Sequence, residues 1–328
     1  MGLASGLLDA TGQLEDVPCN LCGADDYSVI RPARYSHADA GELSQRFRSS
    51  GDEVLIDQLV RCQRCGLQYV SPRLRLESIL EGYSSAVDED FVSQVGARER
   101  TFERCLDLVE AHAGPRGRIL DVGTAGGSFL HVAQHRGWQV AGCEPSRWLC
   151  TWAQEHYGLR ISPGTVFDMK EDENGSFDVV TLWDVLEHVP DPKGLLVECR
   201  RLLKPGGLLV VNYPDIGSWI ARVMGRKWVF LLSVHLYYFT SATIQRLLHQ
   251  AGFGLIHRGP HVQTLELGYI ARRMNAYVPG ISRIGSRLVS LLRVQHAMVP
   301  YWMGQTCVFA RPIVNRPQKH KPVSRDPS

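Results

Sequence analysis

Several features that would place this 328-residue chain in a special class are missing. No run approaches about 18 consecutive apolar residues, which argues against a membrane-spanning helix. The N-terminus lacks the basic start and long apolar core of a signal peptide. The nine cysteines are odd in number and mostly scattered, so a disulfide framework is not expected. The net charge of +2 provides no global field for nucleic acid. We therefore predict a cytoplasmic protein in a reducing environment.

The chain does contain two closely spaced cysteine pairs. Cys19 and Cys22 form one C-x-x-C pattern, Cys62 and Cys65 form another, and a glycine directly follows each pair. Two thiolates two residues apart can bind one cation from a tight turn, and two such turns supply four sulfurs. We predict a structural zinc site in a module spanning residues 17–80, with a redox pair as the alternative. Because all four ligands would be cysteines, the ion would have no open position for substrate.

Residues 118–145 have the pattern of a nucleotide-binding half-unit. An apolar run ends at Asp121, a glycine-rich turn follows over Gly123–Gly127, and a helical pattern leads to a second apolar run ending at Glu144. The glycines allow the backbone to approach a ligand closely, with N–H groups at the helix start pointing at it. A carboxylate at the tip of the second strand can accept hydrogen bonds from the hydroxyls of a ribose.

The spacing acid-x-Gly-x-Ala-x-Gly in this turn resembles the first motif of the class I S-adenosylmethionine-dependent methyltransferases, with Ala125 in place of the middle glycine. Downstream, the segments FDVVTLWDVLEHVPDP and LLVECRRLLKPGGLLVVNYPD are similar to the same family in the same order. The resemblance covers residues 118–215. It implies an α/β, Rossmann-like fold with a mainly parallel seven-stranded sheet and helices on both faces.

The pattern also predicts how the chain is divided. The predicted parts are a flexible tail (1–16), the zinc-knuckle module (17–80), a helical linker (81–117), the methyltransferase domain (118–312) with a helical insertion before the last strand (261–304), and a disordered tail (313–328).

The resemblance implies that S-adenosylmethionine is the methyl donor and that it binds at the carboxyl edge of the sheet. The implied cofactor-binding residues are Asp121, Gly123, Ala125, Gly127, Glu144, Asp168, Trp183 and Asp184. Asp168 lies where the family has an acid near the adenine, although Asp172 offers a competing register. Trp183 is predicted either to contact the methionine part of the cofactor or to cap the core.

Two histidines are candidates for catalytic work on the acceptor. His188 lies in the family's E-H-V pattern near the mouth of the active site, and a histidine bonded only to backbone is the alternative. His235 lies in residues 215–239, a segment that we expect to form a lid over the substrate. Histidine titrates near neutrality, so we predict that His235 is the general base or orients the acceptor. A packing or capping role for His235 is the alternative.

A basic helical pattern runs through residues 269–294, with Arg283, Arg287 and Arg293 at helical spacing. Such a helix can lie on an anionic membrane surface or face a phosphate-bearing substrate. The alternative is a helix packed on its own domain with a solvated charged face.

These features predict an enzyme that moves the methyl group of S-adenosylmethionine to a small molecule by in-line displacement. Zinc-knuckle methyltransferases that this layout resembles act on sugars and secondary metabolites, so the predicted acceptor is a sugar, a lipid-linked sugar or a quinone-like metabolite. One alternative is an RNA methyltransferase, which the nearly neutral net charge disfavours. The other is a cofactor-binding regulatory or scaffold protein that has lost catalysis.

Overall fold

The computed structural model describes residues 14–34, 46–51, 53–273, 289 and 291–313. Its first strands are β1 (Leu14–Glu15), β2 (Tyr27–Arg31), β3 (Leu59–Cys62), β4 (Gln68–Val70) and β5 (Arg73–Leu74). β2, β3 and β4 are neighbours in one antiparallel sheet, and β1 pairs antiparallel with β5. The end of the predicted tail therefore belongs to the N-terminal module instead, whereas residues 1–13 lie outside the described residues.

Three helices connect this module to the rest of the chain. They are α1 (Leu76–Ser85), α2 (Glu89–Val92) and α3 (Val95–Ala113). The buried side chains of α3 recur three or four residues apart, as expected for a helix with one apolar face. Cys105, Leu106 and Val109 on this face share a core cluster with strands of the large sheet.

The large sheet is the mainly parallel seven-stranded sheet that the resemblance predicts. The remaining strands are β6 (Arg118–Val122), β7 (Gln139–Glu144), β8 (Ser162–Pro163), β9 (Phe177–Leu182), β10 (Leu203–Pro214), β11 (Tyr237–Tyr238), β12 (Phe253–Pro260), β13 (Gln263–Glu266), β14 (Met298–Tyr301) and β15 (Gln305–Pro312). The order across the large sheet is β12-β15-β10-β9-β6-β7-β8. Only β15 runs antiparallel to its neighbours in this sheet, and the other pairs are parallel.

Helices cover both faces of the sheet, as predicted. The later helices are α4 (Ser128–His135), α5 (Arg147–Tyr157), α6 (Pro192–Leu202), α7 (Trp219–Met224), α8 (Ser241–Gln250) and α9 (Leu267–Arg273). Successive residues of a strand point to opposite faces. Leu120 and Val180 accordingly lie in a core cluster with α6 and α8, whereas Ile119 and Val179 lie in a second cluster with α3, α4 and α5. Among the described helices, none combines the length and apolar character needed to cross a bilayer.

The insertion at residues 261–304 is not helical throughout, contrary to the prediction. β13 and β14 form an antiparallel pair in which Gln263 lies opposite Tyr301, and α9 directly follows β13. Arg283, Arg287 and residues 314–328 lie outside the described residues, so this part of the basic helix and the disordered tail stay predictions. Arg293 is described and lies in a turn with a positive φ of 57°, so the predicted helix does not extend to this residue.

β11 does not join the large sheet, although it follows β10 in the chain. It pairs antiparallel with β4, with Tyr237 opposite Tyr69, and becomes the fourth strand of the module sheet. The backbone N–H of Val70 also donates to the carbonyl of Leu236 at 2.9 Å. The lid segment and the cysteine module therefore share one sheet.

Tyr69 tests how much this shared sheet stabilises the chain. Its side chain is fully buried and stacks on Tyr237, with ring centroids 6.3 Å apart. Truncating a large buried ring leaves a cavity, so Tyr69→Ala should lower the free energy of unfolding by about 3–5 kcal/mol in urea titrations. Phe167→Ala, at an exposed ring, should change it by less than about 0.5 kcal/mol. Equal losses of unfolding free energy in the two variants would contradict a stabilising role for the sheet that the lid and the module share.

Candidate active site and four-cysteine centre

Asp121 lies on β6 directly before the glycine turn and is buried. Its Oδ1 accepts a hydrogen bond of 2.6 Å from the hydroxyl of Thr181 on the neighbouring strand β9. Burial raises the pKa of Asp121 to about 7, against the opposing effect of this hydrogen bond. The side chain thus ties the start of the turn to the central strand of the sheet.

The glycine turn passes tightly over the edge of the sheet. Gly123, Ala125 and Gly127 have φ angles of 66°, 49° and 78°, in the left-handed region that favours glycine. A Cβ at Gly123 would lie 2.8 Å from Cγ2 of Val185, so the position has no room for a side chain. Ala125 adopts the backbone conformation that glycine takes readily. The alanine that stands in place of the motif's middle glycine therefore keeps the backbone path of the turn.

Glu144, at the end of β7, faces this turn. Its Oε2 accepts from the backbone N–H of Ala125 at 2.9 Å, and its Oε1 accepts from the N–H of Ser146 at 2.8 Å. The residue is only 3% exposed. Burial raises its pKa to about 7, the two hydrogen bonds oppose this shift, and the nearby carboxylate of Asp88 reinforces it. Each carboxylate oxygen retains a second lone pair for a ligand hydroxyl.

Asp88 is a neighbour of Glu144 that the sequence reasoning missed. It precedes α2 and is buried, and its side chain accepts from the N–H groups of Ser50 and Phe91. The residue lies in the predicted linker, where an aspartate before a short helix is a common N-cap. No local pattern therefore marks it as part of the site.

Asp168 makes its hydrogen bonds within its own loop. Its Oδ2 accepts from the N–H of Thr165 at 2.7 Å and from the hydroxyl of Thr165 at 2.9 Å. The N–H of Gly164 donates to the carbonyl of Glu144 at 2.9 Å, which holds the loop beside the end of β7. The loop therefore lies near Glu144, as the predicted adenine position requires.

Trp183 and Asp184 lie at the carboxyl end of β9. The indole of Trp183 is 8% exposed, with ring centroids 5.2 Å from Phe129 and 5.7 Å from His261. Its Nε1 has no hydrogen-bond partner among the described residues. Trp183 thus caps a core cluster while keeping an unused donor at the sheet edge.

Asp184 has a positive φ of 53° and is held from both sides. Asn212 on β10 donates to Oδ1 at 2.6 Å, and Gln263 on β13 donates to Oδ2 at 3.1 Å. The β13–β14 pair of the insertion therefore attaches directly to the carboxyl edge of the sheet through Gln263. Neither Asn212 nor Gln263 was predicted from the sequence.

His188 and His235 come together, with ring centroids 4.7 Å apart. Nδ1 of His188 lies 3.0 Å from the carbonyl of Val234 and 3.1 Å from the hydroxyl of Tyr83. Nδ1 of His235 lies 2.9 Å from the carbonyl of Phe230. Because burial lowers the pKa of His188 to about 4, this imidazole is neutral at pH 7.

Glu187 lies between the sheet edge and the lid, and the sequence reasoning did not select it. Its side chain is 1% exposed, and neither carboxyl oxygen has a hydrogen-bond partner among the described residues. Burial raises its pKa well above the usual value, and Asp184 adds to the shift. The backbone carbonyl of Glu187 accepts from the N–H groups of Leu236 and Tyr237, at 2.8 and 3.1 Å, which fixes the lid next to this residue.

The four cysteines of the two C-x-x-C pairs form one cluster. Sγ of Cys19 lies 3.3 Å from Sγ of Cys65, Sγ of Cys22 lies 3.5 Å from Sγ of Cys62, and all four sulfurs are within 4.8 Å of one another. A tetrahedral site with metal–sulfur bonds of about 2.3 Å needs sulfurs roughly 3.8 Å apart. The four thiols are free and their spacing fits such a site.

The cysteine module also contacts the segment after His188. The amide of Asn20, in the first cysteine turn, donates to Asp191 at 2.8 Å and accepts from the N–H of Lys193 at 3.1 Å. Arg73 donates to the hydroxyl of Tyr237 and to the carbonyl of Pro190. The module thus contacts the E-H-V-P-D-P segment through Asn20 and Arg73, and it pairs with the lid through β4.

A family model described as a methyltransferase domain matches residues 97–258. A ubiquinone biosynthesis O-methyltransferase from Chromobacterium violaceum is 31% identical over 163 residues, which cover 46% of this chain and 70% of that protein. The chain belongs to the class I S-adenosylmethionine-dependent methyltransferases.

Other similar proteins match smaller parts of this methyltransferase or match it less closely. A protein of the same name from Xanthomonas oryzae pv. oryzae is 40% identical over 114 residues, which cover 33% of this chain and 47% of that protein. The methyltransferase thus spans about half the length of this relative. A solved S-adenosylmethionine-dependent methyltransferase from Thermotoga maritima, titled a possible histamine N-methyltransferase, is 20% identical, with 68% of this chain and 94% of that chain covered and a TM-score of 0.46.

The methyl donor of this methyltransferase is S-adenosylmethionine. The predictions for individual site residues remain predictions, but the structure brings most of them to one edge of the sheet. The glycine turn, Glu144, Trp183 and Asp184 follow the carboxyl ends of β6, β7 and β9, where open α/β sheets bind ligands.

The ionisation of Glu144 provides a test of its predicted contact with ribose. Hydroxyls donate to the ionised carboxylate, so S-adenosylmethionine should bind more tightly as the pH rises through about 7. The gain should approach tenfold per pH unit below pH 7. Calorimetric titrations between about pH 6 and pH 8 measure this dependence.

Glu144→Gln should weaken binding at the upper end of that range by roughly 10- to 100-fold and reduce the pH dependence. Glu155→Gln, at an exposed position of α5, is the matched control and should leave both unchanged. Wild-type affinity and pH dependence in the Glu144 variant would rule out the ribose contact.

Proposed function

We propose that this methyltransferase methylates a ring hydroxyl of a quinone-like small molecule. The observation that carries the proposal is the match to the C. violaceum ubiquinone biosynthesis O-methyltransferase, of which this chain covers 70% at 31% identity. A sugar or lipid-linked sugar acceptor is the alternative that the resemblance of the zinc-knuckle layout supports.

In this proposal the donor occupies the edge formed by the glycine turn and Glu144. Glu144 accepts from the ribose hydroxyls with the lone pairs that Ala125 and Ser146 leave available. The turn N–H groups approach the methionine part, and Asp168 lies near the adenine. The glycine turn and Glu144 would hold the donor beside the carboxyl end of β9, and the donor would supply the activated methyl group.

The acceptor lies between the E-H-V segment and the lid, where His188 and His235 meet. The acceptor oxygen forms a bond to the methyl carbon as the sulfur–carbon bond breaks, and the sulfur keeps the electron pair. The hydroxyl proton passes to solvent. We propose that His188 and His235 orient the acceptor hydroxyl for this displacement, because both rings are anchored through Nδ1 to backbone carbonyls.

Transfer of a tritiated methyl group tests the acceptor class directly. Purified protein with labelled S-adenosylmethionine should label catechol-type rings, and should not label nucleotide sugars or RNA. Label recovered only in the sugar or RNA fraction would overturn the proposed acceptor.

In the same assay, His235→Gln should lower turnover by about 100-fold or more while the affinity for S-adenosylmethionine stays unchanged. His249→Gln, on the exposed face of α8, is the matched control and should turn over like wild type. Unchanged turnover in the His235 variant would remove this residue from the proposed mechanism.

We also propose that Cys19, Cys22, Cys62 and Cys65 hold one structural zinc ion. The sulfur spacing and the two glycine-terminated turns support this assignment. The ion would contribute its binding free energy to the folding of the module, and it would take no part in methyl transfer.

Zinc content and thermal unfolding test this proposal without an activity assay. Cys62→Ser should lose about one tightly bound zinc per chain and unfold at a lower temperature than wild type. Cys199→Ser, a buried cysteine outside the cluster, should keep the full zinc content. Equal zinc content in the two variants would disprove the four-cysteine assignment.

A further inference from the structure

We propose that Glu187, His188 and His235 form a second metal centre, which binds a divalent transition-metal ion at the acceptor site. The three side chains each offer one ligand atom, and these atoms all lie within 4.8 Å of one another. They are separate from the four cysteines and come from the two segments that face each other across the proposed acceptor position.

The burial of Glu187 is the strongest indication that an ion binds between these three side chains. A carboxyl group that is 1% exposed normally has hydrogen-bond partners, because burying it without them costs free energy. Neither of its oxygens has one within the part of the chain that the structure describes. The rings of His188 and His235 lie nearby, with centroids 4.7 Å apart. An ion between the three groups would satisfy the carboxylate.

The spacing of the ligand atoms agrees with this interpretation. Bonds of about 2.0–2.2 Å to a central ion place its ligand atoms roughly 3.0–4.2 Å apart, depending on the angle between them. The observed limit of 4.8 Å is slightly longer. Small side-chain rotations would therefore close the three groups around an ion.

The orientation of both rings is also typical of metal-binding histidines. Nδ1 of His188 lies 3.0 Å from the carbonyl of Val234, and Nδ1 of His235 lies 2.9 Å from the carbonyl of Phe230. A carbonyl oxygen only accepts, so Nδ1 carries the hydrogen in each ring, which is the tautomer in which Nε2 is the metal-ligating nitrogen. Histidine ligands commonly donate their other ring N–H to a backbone carbonyl in this way.

The donor set determines the kind of ion. Two imidazoles and one carboxylate favour Zn²⁺, Mn²⁺ or Fe²⁺ over Mg²⁺, which prefers oxygen ligands. Three protein ligands also leave at least one position open, as in catalytic zinc sites. This centre therefore differs from the four-cysteine cluster, in which every position would be filled.

The open position has a specific role if the acceptor is a ring hydroxyl, and this role rests on the proposed function. A divalent ion lowers the pKa of a bound hydroxyl and so supplies an oxygen nucleophile at neutral pH. The hydroxyl proton passes to solvent, the oxygen forms its bond to the methyl carbon, and the sulfur takes the electron pair of the broken bond. His188 and His235 would then act as ligands of the ion that holds the acceptor oxygen.

Cobalt substitution of the full-length protein tests the centre independently of methyl transfer. Co²⁺ bound by thiolates absorbs strongly through sulfur-to-metal charge transfer, whereas Co²⁺ bound by imidazole and carboxylate lacks this absorption. After removal of bound metal, the wild-type chain should take up about two Co²⁺ ions, one of them without thiolate absorption. Addition of catechol should shift the spectrum of the thiolate-free ion. Uptake of a single ion, or a spectrum that catechol leaves unchanged, would overturn the proposal.

Glu187→Gln and His188→Gln identify the ligands. Each variant should lose the thiolate-free ion while keeping the thiolate absorption and the affinity for S-adenosylmethionine, which together report a folded chain. His249→Gln should bind both ions. A thiolate-free ion that persists in both variants would disprove the assigned ligands, and the wild-type stoichiometry decides the question even if a variant fails to fold.

The metal centre and the proposed function can fail separately. Two ions, a catechol-induced shift and no methyl transfer to any hydroxylated ring would overturn the proposed acceptor and support the centre. Methyl transfer by a wild-type chain that binds only the thiolate-bound ion would support the proposed acceptor and overturn the centre.

Discussion

The two hydrogen bonds from the lid to the backbone carbonyl of Glu187 are the constraint on which the proposed acceptor site depends. The N–H groups of Leu236 and Tyr237 donate to this one oxygen, directly after the carboxyl edge of the sheet. They hold His235 beside His188 and align β11 for pairing with β4. Contacts of Val234 with His188 and of Tyr237 with Pro190 hold the same part of the lid.

The cysteine module therefore does more than add a small domain to the N-terminus. Its sheet incorporates Tyr237 and Tyr238 from the lid, and its first turn binds the start of α6 through Asn20. A module of this size buries little apolar surface, and a bound metal is a common way to stabilise such a unit. An ion at the four cysteines would stabilise the lid through the shared sheet.

At the predicted donor site, the cost of burying two acids is balanced against their hydrogen bonds. Asp121 and Glu144 are acids buried at the edge of an apolar sheet, and burial raises the pKa of each to about 7. Hydrogen bonds from Thr181, Ala125 and Ser146 offset part of the cost. The raised pKa of Glu144 is the reason that the predicted contact with the donor depends on pH.

Local motifs and the family resemblance that they carry were sufficient to predict the large sheet and the glycine turn at its carboxyl edge. Strands such as β6 and β9 are continuous apolar runs because both faces of a parallel sheet are covered, and the glycine turn requires positive φ at residues close in sequence. Each C-x-x-C pair is likewise a local pattern, although the contact between the two pairs is not, because Cys19 meets Cys65 at a separation of 46 residues. Each of these features depends on neighbours along the chain, so the sequence is enough to predict them.

The acceptor side was decided by contacts between distant residues. Glu187 had no local pattern that separates it from any glutamate beside a histidine, and its importance comes from burial between the sheet edge and a lid almost 50 residues later. β11 is two residues long, too short for an alternation pattern, and it exists because β4 offers a free edge. The sequence by itself thus determined the fold and the methyl donor, because the motifs that indicate them are local. Only the tertiary structure decided how the lid, the cysteine module and Glu187 meet, because their contacts join segments far apart in the chain.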